Sequence, residues 1–157
     1  VILVLLFLQK KSYIFLAWAL LFLYFLIDDS LSLHELLGSL MAQYYEYQAY
    51  FYLRTQDFGE LAICFIFGIP IFSFVFLCYL FNDSNNDKKF SEKLFVLVLL
   101  LVFFGVIVDM LHIIIPYGKS IMGLIEDGGE MISTSIITYY VLSTYLSCFS
   151  SNQNYRS

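Results

Sequence analysis

Tyr13-Ile-Phe-Leu-Ala-Trp-Ala-Leu-Leu-Phe-Leu-Tyr-Phe-Leu-Ile27 carries no charge and runs directly into Asp28-Asp29-Ser30-Leu31-Ser32-Leu33-His34-Glu35. The first part is long and apolar enough for most of a bilayer crossing, which takes about 20 residues. The second attaches three carboxylates and an imidazole to its end. No Gly or Pro intervenes before Gly38, so the pattern predicts one helix over about 12–40 with the acidic motif in its last third. Ionisable groups at membrane depth cost about 2.5–3.5 kcal/mol each at the bilayer centre on insertion scales, and mark functional positions by default.

Composition agrees with a membrane protein. Of 157 residues 61% are hydrophobic, 20% aromatic and 13% charged, with mean hydropathy +0.80, whereas soluble domains carry about 25% charged residues. A formal charge of −5 excludes nucleic acid as a partner, because phosphate binding needs clustered Lys and Arg. No glycine-rich phosphate loop or dinucleotide fingerprint is present. Cys64, Cys78 and Cys148 stand apart in apolar runs and read as small buried hydrophobes. The chain begins at Val1 inside an apolar run, so a truncated first helix over about 1–8 is expected.

Outward from the opening stretch, Gln9-Lys10-Lys11-Ser12 forms a polar turn. Residues 41–58 are polar and aromatic, with Tyr44, Tyr45, Tyr47, Tyr50 and Tyr52 suited to a water–lipid boundary. Further spans are expected over 60–81 (with Pro70 as a kink), 93–115 and 120–147, separated by the turn-rich NDSNNDKK at 82–89 and by Pro116-Tyr117-Gly118. The expected fold is all-α, a polytopic transmembrane bundle of four full spans plus the truncated helix. It is a single domain over 1–157.

Two more clusters echo the first: Asp109-Met110-Leu111-His112 and Glu126-Asp127-Gly128-Gly129-Glu130. Lys10, Lys11, Lys88, Lys89, Lys93 and Arg156 fall on one side of this topology, Arg54 and Lys119 on the other. Six against two places the first side in the cytoplasm by the positive-inside rule. Asp28, Asp29, His34, Glu35, Asp109, His112, Glu126, Asp127 and Glu130 then all lie toward the outer side. At about 100° per residue, Asp28 shares a helix face with Glu35 and Glu126 with Glu130, while Asp109 and His112 stand about 60° apart. Seven such groups at membrane depth would cost on the order of 20 kcal/mol, more than a typical net stability. A bound cation, shared protons, a water-filled cavity or a merely interfacial depth would offset this.

Imidazole and carboxylate from neighbouring helices, without a nearby thiol, suit Zn, Fe or Mn. The metal candidates are therefore Asp28, His34, Glu35, Asp109, His112, Glu126 and Glu130. The set is incomplete beside helix-bundle dimetal sites, which take Glu from two helices and Glu-x-x-His from two more. Blander readings stand beside it. Asp28, Asp29 and Glu35 are solvated if the helix emerges there, and Glu126 and Asp127 suit the first turns of a helix electrostatically.

Asp28-Asp29-x-x-x-x-His34-Glu35 and Glu126-Asp127-x-x-Glu130-Met131 resemble an uncharacterised family of bacterial multi-pass membrane proteins. That family carries Asp-Asp/Glu-x4-His-Glu and Glu-Glu/Asp-x2-Glu-Met elements, and the likeness extends over Ala17 to Tyr145. It implies a bacterial inner-membrane location, where the outer side assigned by the basic residues is periplasmic, and conveys no activity. Asp109-x-x-His112 departs from it, since a lone acidic residue is expected there. Known intramembrane hydrolases fit poorly: Glu-Glu-x-x-x-Arg, His-Glu-x-x-His and Gly-x-Ser-x-Gly are all absent.

The sequence thus predicts a carboxylate/histidine cation site in an integral membrane protein, with a metal that activates water as its enzymatic form. The alternatives are a proton or cation conduit, and a structural subunit that faces partner membrane subunits or copies of itself. A bis-histidine haem from His34 and His112 is a fourth reading, disfavoured by the surrounding carboxylates.

Overall fold

The computed structural model describes residues 1–48, 53–114 and 119–154; within these, the side chains of His112, Ile113, Lys119, Ser120 and 151–154 lie outside the description. Pro116-Tyr117-Gly118 and Tyr50 and Tyr52 also fall outside it. The fold is all-α, in the order α1 Ile2–Lys10, α2 Tyr13–Leu31, α3 Leu33–Tyr44, α4 Thr55–Leu80 and α5 Asn85–Val102. A π-helical segment, Phe103–Val108, joins α5 to α6 Asp109–Ile114, and α7 runs over Lys119–Asn154.

The opening stretch is not one helix. α2 ends at Leu31 and α3 begins at Leu33, with Ser32 between them in the left-handed region at φ 46° and ψ 44°. Such a conformation is costly for a residue with a Cβ, and the Asp28 carboxylate offsets the cost. Its Oδ1 accepts from the His34 backbone N–H at 3.0 Å, and its Oδ2 lies 3.0 Å from His34 Nδ1. Asp28 therefore caps the new helix, whose first N–H groups lack intrahelical partners, while remaining in the last turn of the old one. Asp28 and Glu35 consequently do not share a face. Ser and Asp compete for backbone groups without any Gly or Pro, and this break follows from that competition.

Other boundaries move as well. The expected solvent loop at 82–89 is half helix: the Ser84 hydroxyl accepts from the Asp87 N–H and starts α5 at Asn85. The span expected over 93–115 is interrupted by the π segment. An extra residue in a turn advances everything after it by about 100°, so this segment sets the direction in which Asp109 faces. α4 passes through Pro70 as one helix.

Among the described residues, three helices are long and apolar enough to cross a membrane: 13–31, 55–80 and 85–111. The fourth expected span, α7, is not among them. Its hydroxyls dilute its hydropathy, yet Ser133, Ser135, Thr138 and Thr144 each donate to the carbonyl four residues back, which hides their polarity within the helix.

The core sits at one end. Leu6, Ile14, Phe15, Trp18, Leu21, Leu94 and Val98 are fully buried there, where α1, α2, α5 and α7 meet. Phe90 stacks on Tyr140 with ring centroids 5.3 Å apart. Trp18 Nε1 donates to Ser91 Oγ at 2.8 Å, and Lys10 Nζ pairs with Asp87 Oδ1 at 2.7 Å. α4 packs chiefly on α3 and α2 and reaches this core through Val75.

Candidate functional site

Two glycine contacts build the opposite end. Gly38 of α3 and Gly59 of α4 cross so closely that a Cβ on either would strike the other helix's backbone. This contact drives α3 against the start of α4 and brings Glu60 beside it. The second contact is reciprocal: Gly105 of the π segment leaves room for the Glu130 carboxylate, and Gly129 of α7 leaves room for the Phe104 ring. Close approach of small residues is a common device where helices meet in lipid.

Between these contacts a groove of about 1250 Å³ runs along the bundle, with α2 and α4 on one side and α5, the π segment and α7 on the other. Its walls are chiefly apolar, with Phe25, Phe65, Phe72, Phe76 and Phe95 prominent. One end is different. Asp28 and Asp29 from α2, His34 from α3, Glu60 from α4, Asp109 from α6 and Glu130 from α7 all line it.

The candidates separate accordingly. Asp28, His34, Asp109 and Glu130 reach one cavity, from four helices. Glu35 is exposed on the first turn of α3, where a carboxylate complements the helix dipole, and it lies outside the groove lining. Glu126 also lies outside that lining, one turn before Glu130. Its charge still acts on Glu130, as do those of Asp29, Asp127 and Asp109. The His112 side chain is outside the described residues.

The groups differ in how far they are already engaged. Asp28 is held by His34. Glu60 Oε1 accepts from Gln56 Nε2 at 2.7 Å. Asp57, buried at the same end, is committed to Arg54: its Oδ2 accepts the Arg54 backbone N–H at 2.7 Å, and its Oδ1 accepts from Nε and Nη2 at 3.0 and 2.8 Å. The Asp57 hydrogen bond and charge, with smaller contributions from Glu60 and Asp109, hold Arg54 above its ordinary pKa. Arg54 is thereby a fixed positive charge at this end.

Sequence reasoning missed Glu60, which it took only as the start of a span. Two signals pointed to it: Gln56 one turn earlier on the same face, and Gly59 beside it as a partner for Gly38. Among the described residues, no three His, Cys, Asp or Glu side chains form a group that could hold a metal ion. The arrangement instead spreads negative charge around one end of an apolar trough.

No curated protein and no solved structure is detectably similar to the chain. A family model matches residues 2–144, nearly the whole sequence, and the chain belongs to that family, described as a domain of unknown function, DUF8692.

Proposed function

We propose that this chain is a polytopic membrane protein that receives a positively charged group at the acidic end of its groove. The observation that carries this reading is the arrival of five carboxylates, Asp28, Asp29, Glu60, Asp109 and Glu130, at one end of one cavity. Like charges in a medium of low dielectric repel strongly, and the cost is recovered when a cation enters. The spacing favours a bulky or hydrated cation over a tightly chelated one. Metal-assisted hydrolysis is the narrower form of the same reading, and would recruit Zn, Fe or Mn. In this reading α7 completes the bundle as a fourth span; the six-to-two split of basic residues supports an acidic end on the outer side, and the resemblance of the two acidic motifs supports a bacterial inner membrane.

The test is thermal unfolding of purified protein with tetraethylammonium, Zn²⁺ or Mn²⁺, and with chelator. A ligand present at about a hundred times its Kd stabilises the folded state by about 2.7 kcal/mol, a rise in Tm of about 5–10 °C for a chain of this size. Glu130→Gln should shrink the rise, and Asp83→Asn, on the exposed turn at the opposite end, should leave it intact. A Zn²⁺ response abolished by chelator selects the metal form. A Tm indifferent to every cation contradicts the proposal and favours the structural subunit, which stoichiometric partners at purification would identify.

A further inference from the structure

A bare cation would occupy only the mouth of the groove. Behind that mouth the lining runs on along α2 from Asp28 to Trp18, ten residues or about 15 Å, and along α4 from Glu60 to Phe76, sixteen residues or about 24 Å. These walls are chiefly apolar, and at Gly68 the groove widens further, since a Cβ there would meet nothing within 4 Å. A trough this long is chiefly apolar along its length and gathers five of its six carboxylates at one end; the sixth, Glu92 toward the other end, accepts from the Tyr79 hydroxyl at 2.7 Å, and the whole complements a molecule with the inverse distribution. We infer that the occupant is a cationic amphiphile, a lipid-like amine whose head sits among Asp29, Glu60, Asp109 and Glu130 and whose chain lies along α2 and α4. The inference rests on the cation-site reading above and adds the chemical class. Charge complementarity selects this occupant from the lipids around it: an anionic head would be repelled at the mouth, and a zwitterionic one would bring its phosphate among carboxylates.

Trp18 is the only tryptophan in the sequence and lines the groove about 15 Å below Asp28, which makes it a built-in reporter. The experiment titrates the protein, in nanodiscs of zwitterionic lipid, with a long-chain alkylamine brominated about 15 Å from its head, and with the fatty acid of the same chain and bromination. The amine should quench Trp18 emission at a concentration at least about tenfold lower than the acid, as a favourable charge contact requires. Asp29→Asn combined with Glu130→Gln should bring the two probes close together. Gly68→Leu, which fills open space rather than displacing protein atoms, should remove amine quenching and leave the Tm response to tetraethylammonium unchanged. Equal quenching by amine and acid in the unmodified protein, or undiminished quenching in Gly68→Leu, overturns the inference. If that happens while tetraethylammonium still raises Tm, only the amphiphile falls and the cation site stands; if tetraethylammonium has no effect either, both fall.

Discussion

The two ends of the bundle are built on opposite terms. At the end where α1 meets α2 and α4 meets α5, polar groups are matched. Lys10 pairs with Asp87 and lies 5.2 Å from the centre of the Phe15 ring, Asn82 donates to Ser12, and Trp18 finds Ser91. The fully buried large side chains gather around them. At the other end, carboxylates outnumber the described cations that face them, the contacts are glycine crossings, and a groove enters between the helices. Matched polar pairs over a dense core stabilise a fold. A concentration of like charge beside a cavity works against stability, and persists where binding recovers the difference. The first end holds the molecule together, and the second is where a ligand would act.

Substitutions can break this contrast, beginning with the largest effect. Trp18→Ala should cost about 3–5 kcal/mol, the usual range for emptying an aromatic site in a core, and it leaves the Ser91 hydroxyl without its donor; thermal or chemical unfolding measures it. Gly59→Ala comes next. Its Cβ meets the Gly38 backbone, so α3 must lift from α4 at a cost of about 1–3 kcal/mol, and the response to cations should weaken along with stability. Glu130→Gln should have the smallest effect and the opposite sign. In cation-free protein it relieves repulsion from Asp29, Asp109, Glu126 and Asp127, and should raise stability by up to about 1 kcal/mol, since partly exposed charges interact weakly. A loss of stability on that substitution would place Glu130 among the structural groups of the first end.

Much of the contrast was legible in the sequence, and the gaps have physical causes. The apolar runs gave three of the spans and the all-α class, because hydropathy over twenty residues is a strong signal. The convergence of Asp28, His34, Asp109 and Glu130 followed from topology, since antiparallel helices return their ends to one level. Asp28 in its capping role was not legible: Ser30-Leu31-Ser32 contains no helix breaker, and only the carboxylate–backbone bond reveals the turn. The π segment was equally silent, as no residue in Phe-Phe-Gly-Val-Ile-Val demands it. It changes the facing of Asp109 relative to α5, whereas the spacing from Asp109 to His112 lies beyond it, within α6. Glu35 follows His34 on the first turn of α3 and is exposed, about 100° around the helix from it.

The central claim, that one cation is shared by carboxylates from separate helices, is tested most directly by mapping carboxyl reactivity. The protein is treated with a hydrophobic carbodiimide with and without tetraethylammonium, and the labelled positions are read by mass spectrometry. The account predicts that the cation protects Asp29, Glu60, Asp109 and Glu130 together over one concentration range while exposed Glu35 stays reactive. Labelling of the four that is indifferent to the cation, or protection of one of them alone, would contradict it.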